Sequence, residues 1–580
     1  MSKIQRIVSI VIALYLLLVL IDRFVLVELL IRRVGLSVLI ALFEAFAILG
    51  VGFAVRGALA RAWRAEDADL TRDFLLGYPV FGAVCFLTGT LNVSSWSMGI
   101  LLVVCGAGGI YILVRRFESR PPSMPVIAEP LVLIALAIVF LCALIAAQAP
   151  PSSLDELAYH LAVPWTWVKE HRAIELPLIS VSYFPLGIES ADLPLLTILG
   201  QIGGGIASHF LHLGAALAAT AMLFRLSRGN ALALAAIVTT PALALIAGWS
   251  LVDWPLIGIC AILVLALDAG DVATISMAIA AGLLTKYTFI PFAIIAIVVA
   301  RRWRGLLPGI AIGSIFFIRN LILTANPIAP FFSAAAPHVA GYRAPFLSDY
   351  VFDGHFLDES LGASIIAACT LSAGALPWIL IAAAVLLFLL APSSRILLPF
   401  LAIPAARSHR PRRLTRVLLG LSIVVQLFLI GYFVDRGGAF SLLSAAASDT
   451  EFLAKQRASF KTVQSIDVLL PADARALVIG LNETFWFARR VRGGGNFDGP
   501  RVSRYLEMPT PEALYARLKN DGITHVAVVA PAPATTSVAQ KVAERETALS
   551  SAAQRMLAQT LDRYASNVAP GAGATVFTLR

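Results

Sequence analysis

The sequence predicts an all-α polytopic membrane bundle of about 11–13 transmembrane helices, with a small C-terminal α/β domain on the extracytoplasmic side. Three observations predict it. Of 580 residues, 59% are hydrophobic and only 14% charged, and the mean hydropathy is +0.85, far from the composition of a soluble domain. Apolar runs of roughly 18–22 residues recur along the chain, the length that crosses a hydrocarbon core of about 30 Å. From about Ala445 onward the composition changes to that of a small soluble domain.

Taken in order, Ile7–Leu20 follows Lys3 and Arg6 as a signal peptide would. It runs into Ile21-Asp22-Arg23 without a small-residue cleavage site, so it reads as a retained first helix. Val34–Val55, Phe74–Leu91 and Trp96–Val114 complete an N-terminal four-helix region, 1–128. Pro130–Ala147 opens a membrane core, 129–435, and carries the chain outward into a long outer segment, 149–194. Its Trp, Tyr, Leu and scattered charges suit amphipathic helices lying at the interface. Gly203–Phe224, Ala231–Gly248 and Trp254–Leu267 follow. Ile275–Leu284 and Phe289–Ala300, separated by "TKYT", are each short for a span and read as a half-helix pair, tolerated where it lines a polar cavity. Leu306–Leu323 leads to a second outer loop, 324–359. Gly362–Leu390 is one long helix or two short ones, followed by Ile396–Pro404, and Val417–Phe433 is the last, outward-going span. In the soluble domain, 445–580, "ARALVIG" and "THVAVVA" read as buried strands and "TPEALYARLKNDG" as a capped helix ended by glycine.

The net charge is +10, but the arginines concentrate in short loops: Arg56, Arg61, Arg64 and Arg72; Arg115, Arg116 and Arg120; Arg225 and Arg228; Arg301, Arg302 and Arg304; Arg407 to Arg416. The loops between them are acidic, with Asp155, Glu156, Glu170, Glu175, Glu189 and Asp192, then Asp349, Asp353, Asp358 and Glu359. Under the positive-inside rule the arginine loops are cytoplasmic and the acidic loops face out. Arg32 and Arg33 break that alternation if Ile7–Leu20 spans fully. The basic balance thus sets topology and implies no nucleic-acid partner. Cys85, Cys105, Cys142, Cys260 and Cys369 all fall in apolar segments without metal-ligand spacing, so neither disulfides nor structural zinc are expected. No Walker loop, HExxH, GxSxG or dinucleotide fingerprint stands in a credible context.

The residues that could carry chemistry lie at membrane depth or at its lip. In "PSSLDELAYHLAVPWTWVKEH", Ser153 and Glu156 fit a capping box, which accounts for Glu156 but leaves Asp155 without such a duty. Tyr159 stands at i+4 from Asp155 and His160 at i+4 from Glu156, giving each acid a polar neighbour on its own face. Asp253 either caps the helix beginning at Trp254-Pro255 or works in a site. Lys286 has no structural duty in view, whereas Arg319 could simply snorkel outward. His209 and His212, in an apolar helix, read first as core histidines. Trp165 and Trp167 read first as interface anchors, with stacking on a sugar as the other reading. Acids on outer loops and cations at membrane depth suit a lipid-borne phosphate held by Lys or Arg while a carboxylate handles a proton.

"LDELAYHLAVPWTWVKEH", "SYFPLGIES", "LVDWP", "GLLTKYTFIPF", "FFIRNLILTANPIAPFF" and "RILLPFLAIP" follow in that order. In this register they resemble the C-type (GT-C) polytopic membrane glycosyltransferases, the group that includes protein O-mannosyltransferases, aminoarabinose transferases and bacterial relatives. The resemblance covers about Pro130 to Pro404, and "PADARALVIG…GITHVAVV" looks like the outer domain of bacterial members. It implies transfer of a sugar, with inversion, from a polyprenyl-phosphate donor to a glycan, lipid or protein acceptor at the outer face. The family's acidic motif maps to Asp155 and Glu156, its later acid to Asp253 (with leucine in place of an aromatic) and its lysine to Lys286. Its arginines map to Arg319 and to Arg395, where "RILLP" lacks the usual tyrosine. On this reading Asp155 is the general base, Lys286 with Arg319 or Arg395 neutralises the departing phosphate, and Asp253, His160 and Tyr159 serve the sugar or act as a second acid. No cofactor is required, and a divalent Mg or Mn ion shared by Asp155, Glu156 and Asp253 is the alternative to charged side chains. The competing class is a polytopic transporter or a flippase for lipid-linked sugars, which also uses half-helices and buried charges.

Overall fold

The computed structural model describes residues 24–61, 69–119, 129–227, 231–300, 303–331, 413–493, 498–529, 549–571 and 573–580. The expected first helix, most of the second outer loop, Arg395 and the ambiguous stretch from Gly362 to Pro404 lie outside them.

Long apolar sequences give long helices: α1 Phe24–Ala60, α2 Leu70–Leu91 (with Pro79 in its interior) and α3 Ser95–Ser119, then α4 Pro130–Ala147. Asp69 accepts from the Thr71 and Arg72 amides and starts α2, and Pro130 starts α4 where its missing N–H costs nothing. After the short α5 Ala162–Lys169 comes α6 Gly187–Leu226, bent at Gly200, whose φ of 72° only glycine adopts without strain. The expected Ala231–Gly248 span is two short helices, α7 Ala231–Val238 and α8 Pro241–Ile246, because Pro241 cannot continue the first. Next are α9 Asp253–Ala269, α10 Val272–Thr285, α11 Ile290–Ala300, α12 Trp303–Gly313, α13 Ile315–Thr324 and, beyond the undescribed stretch, α14 Arg413–Arg436. Among the described residues four helices are long and apolar enough to cross a bilayer, or five if the pair α12 and α13, bent by 55°, counts as one. The expected total of 11–13 is not reached among them.

Helix α2 packs between α1 and α6; α9 packs on α6 and α2, α10 on α9, α2 and α1, and α12 on α10. A side chain at Gly82 would place its Cβ 1.6 Å from the Gly187 carbonyl oxygen, so this bare backbone contact fixes where α6 enters the bundle. Large apolar side chains remain exposed along α1, α3, α11 and α14, among them Leu39, Val104, Val298 and Phe428. Such a surface suits lipid rather than water.

Helix α6 begins at Gly187, within the outer segment expected to run to Pro194. Glu189 and Asp192, expected among the outward-facing acids, are instead only 3% and 1% exposed.

The C-terminal domain holds a five-stranded sheet: β1 Arg475–Ile479, β2 Arg490–Arg492, β3 His525–Val529, β4 Ala565–Gly571 and β5 Ala574–Leu579, in the order β2-β1-β3-β5-β4. The first three pair in parallel, and the β4–β5 hairpin adds antiparallel to β3. Both expected strands and the helix Pro511–Asn520 form, the latter followed by Gly522 at φ 71°. Strand alternation sorts the core into two faces. Leu477, Val526 and Leu579 pack under the helices carrying Leu514 and Leu557, while Ala476, Val478 and Val576 join Phe485 and Phe487 against Leu157, Leu161 and Leu196. The second face therefore continues into the outer segment and α6.

Candidate functional site

The stretch around the acid pair turns once in a wide helical turn, Glu156–His160, closed by the Leu161 amide donating to the Glu156 carbonyl at 3.0 Å. Such i→i+5 turns are uncommon and recur at functional sites. Glu156 is fully buried, and both carboxylate oxygens are engaged. One accepts from the Ser153 and Ser152 amides at 2.9 and 3.3 Å; the other accepts from the Ser250 amide and meets His209 Nε2, both at 2.7 Å. Burial alone would raise its pKa, but His209 and the Ser250 and Ser153 amides outweigh it and hold the carboxyl below its usual range.

The back-bond from Glu156 to Ser153 is the half of the capping box that forms. The pairing of Glu156 with His160 does not. His160 Nδ1 meets Glu189 Oε1 at 2.9 Å, and the partner of Glu156 is His209, whose Nδ1 also faces the Ala147 carbonyl at 3.3 Å. Asp155, at the start of the turn, is half-buried, and Tyr159 lies against the His160 ring rather than standing apart from it, with centroids 3.9 Å apart.

A second cluster forms where α10 ends. Lys286 terminates that helix in extended backbone, and its Nζ reaches Asp253 Oδ1 at 3.3 Å. Asp253 is 4% exposed and makes no capping bond; it occupies the first turn of α9, where its charge also favours the helix dipole. Next to Lys286, the Tyr287 hydroxyl donates to the Tyr183 and Ala329 carbonyls at 3.0 Å and receives a bond from Asn320 Nδ2 at 2.8 Å. Arg319 does not snorkel. It donates to the Ser182 carbonyl at 2.8 Å and lies over the Phe86 and Tyr183 rings, each 5.6 Å away.

Aromatic contacts join the two clusters. Phe184 packs edge-on to Tyr159 at 6.3 Å and to Tyr287 at 5.8 Å, and stacks on Phe331 at 5.8 Å. The turn carrying Asp155 and the break carrying Lys286 thus meet around one ring from "SYFPLGIES".

Burial removes both expected roles from Trp167, and Trp165 contacts the C-terminal domain. Trp167 is fully buried beside Phe86 and donates to the Ile174 carbonyl at 2.9 Å, while Trp165 donates to the Phe487 carbonyl of the C-terminal domain at 3.1 Å. The metal set is not assembled either. Among the described residues no three His, Cys, Asp or Glu gather as ligands, since Glu156 is used by His209 and by backbone, and Asp253 by Lys286.

Comparison with known protein families and with curated proteins gave no match.

Sequence reasoning missed Tyr183, Phe184, Tyr287 and Asn320, although all four stand inside motifs it singled out. It placed His209 in the core without its partner. His209 lies 53 residues from Glu156, a separation at which periodicity carries no pairing signal.

Proposed function

We infer that this chain is an integral-membrane glycosyltransferase that moves a sugar from a polyprenyl-phosphate donor to an envelope acceptor, with inversion, on the extracytoplasmic face. The observation that supports this best is the contrast between two adjacent carboxylates on a turn that aromatic packing joins to the break carrying Lys286. Glu156 is saturated by hydrogen bonds, whereas Asp155 beside it is half-buried, and both belong to the cluster that reaches Lys286 through Tyr159, Phe184 and Tyr287. In this reading Asp155 takes the proton from the acceptor hydroxyl as its oxygen attacks the anomeric carbon. The bond from that carbon to the donor phosphate oxygen breaks, and Lys286 neutralises the charge left on the phosphate. Asp253 holds Lys286 in place until the phosphate replaces it as partner. The orientation rests on the alternation of arginine-rich and acidic loops. A cysteine at exposed Ala446 in a cysteine-free background reports it, through labelling by an impermeant reagent in intact spheroplasts.

The decisive measurement supplies purified protein with polyprenyl-phosphate sugars and envelope glycans, and follows release of the lipid phosphate. No release with any donor and acceptor overturns the reading. A second reading, a proton-coupled transporter, draws support from Glu44, Glu189, Asp192 and His212, all buried inside the bundle. It predicts pH-driven uptake into proteoliposomes, which a transferase does not produce.

A further inference from the structure

A cavity of ≈ 280 Å³ lies on the seam between the outer segment and the C-terminal domain, away from the acid pair and Lys286. We propose that it binds a single uncharged sugar ring, the terminal residue of a glycan acceptor. The acceptor role rests on the transferase reading; the binding does not.

Its volume is at the foot of the range for small-molecule sites, roughly 300–1,000 Å³, and suits one ring rather than a chain. The walls combine two characters. Leu176, Leu178 and Ile523 offer apolar surface for the C–H face of a ring, and Glu175, Arg492, Tyr505 and Asp521 offer polar groups. Carboxylates accept from sugar hydroxyls and guanidinium donates to them, so this mixture matches neighbouring hydroxyls, each of which both gives and takes a bond. Two acids against one arginine disfavour an anionic ligand. Arg492 Nη2 lies 3.2 Å from Glu170, while its Nη1, also buried, has no hydrogen-bond partner among the described residues. A buried N–H left without an acceptor is costly, and a ligand hydroxyl supplies one. The Tyr505 hydroxyl is tied to Asp521, which presents that carboxylate at the cavity wall.

Tyr183 connects this cavity to the candidate site. It is fully buried between Arg319 and Arg501, each 5.6 Å from its ring. Its hydroxyl donates to Glu175 of the cavity, and its carbonyl accepts from Tyr287 and Asn320 beside Lys286. A sugar held against Glu175 is therefore one residue removed from the turn that carries the cation.

The test uses the full-length protein in nanodiscs and saturation-transfer NMR with glucose, galactose, mannose and arabinose. At least one should bind in the millimolar range, with binding weakened tenfold or more by Arg492→Met and severalfold by Tyr505→Phe. Lys286→Met should leave it unchanged. Because Arg492 also pairs with Glu170, thermal unfolding checks the first variant, and Tyr505→Phe, which keeps the ring, carries the test if that variant is unstable. Absence of binding by all four sugars, or binding indifferent to Tyr505→Phe, overturns the proposal. Sugar binding without any lipid-phosphate release would leave the subsite standing and remove the transferase reading. Transfer unaffected by the cavity variants, without sugar binding, would do the reverse.

Discussion

The two clusters around Phe184 are built differently. At the acid turn Glu156 accepts three backbone N–H bonds and pairs with a histidine, every distance at or below 3.3 Å. At the α10 break Lys286 has one ion pair among the described residues, to Asp253 at 3.3 Å, and the lysine side chain is 20% exposed. A fully engaged buried carboxylate has no capacity left for a ligand; removing a partner from it damages the fold. A loosely held, partly exposed cation can exchange partners. On the transferase reading, the comparison makes the more buried acid the scaffold and its less buried neighbour the reagent.

The largest effect that sharpens this contrast is expected from Asp155→Asn. It keeps the shape of the side chain and should fold and bind donor, yet lose about a hundred- to ten-thousand-fold in transfer rate. Near-normal turnover, with Glu156→Gln dead but folded, would reverse the assignment. His209→Ala should act on the fold rather than on the chemistry. It leaves the buried Glu156 carboxylate without one of its hydrogen-bond partners, at a cost of about 1–3 kcal/mol, read as a lowered unfolding midpoint. Unchanged stability would mean that Glu156 is not the hub described here. Lys286→Met should weaken donor binding by roughly 1.5–3 kcal/mol, the range for hydrogen bonds to charged groups. Normal donor affinity in that variant breaks the comparison from the other side, making the lysine structural.

The smallest effect concerns the seam. Burial pushes the Asp498 carboxyl up to about 6, with Arg501 and the Ser180 amide opposing. A folded-state pKa above the unfolded one gives stability that is fully present below the unfolded value, about 4, and is lost as pH rises through about 6. The unfolding midpoint should therefore fall between those pH values, and Asp498→Asn should flatten that slope. A slope of the opposite sign would show that Arg501 dominates.

Legibility in the sequence followed the range of the interaction. Helix α4 was readable to the residue, because a charge-poor apolar run and Pro130 are local signals. Strands β1 and β3 were readable for the same reason, as short apolar runs between turn residues. The β4–β5 hairpin was not, since Pro570 and exposed polar positions hide an edge strand, where proline is tolerated. At the site, the sequence indicated which residues carry charge: Asp155, Glu156, Asp253, Lys286 and Arg319. It failed on their partners. The i+4 argument that paired Glu156 with His160 joined the wrong groups, because the wide turn and the early start of α6 bring Glu189 and His209 to places that helical spacing does not foresee.

The seam also has a consequence for timing. Leu157, inside the acid turn, offers its carbonyl to the Thr484 and Phe485 amides at 3.0 and 3.1 Å, and Lys169 donates to the Phe487 carbonyl 318 residues further along the chain. The acid turn leaves the ribosome long before the loop that completes it. A nascent chain can thus insert its first helices and expose Asp155 while the turn beneath it is still unfinished. The last quarter of the protein thus completes the acid turn, and on the transferase reading a chain ending after Arg436 is expected to reach the membrane without becoming active.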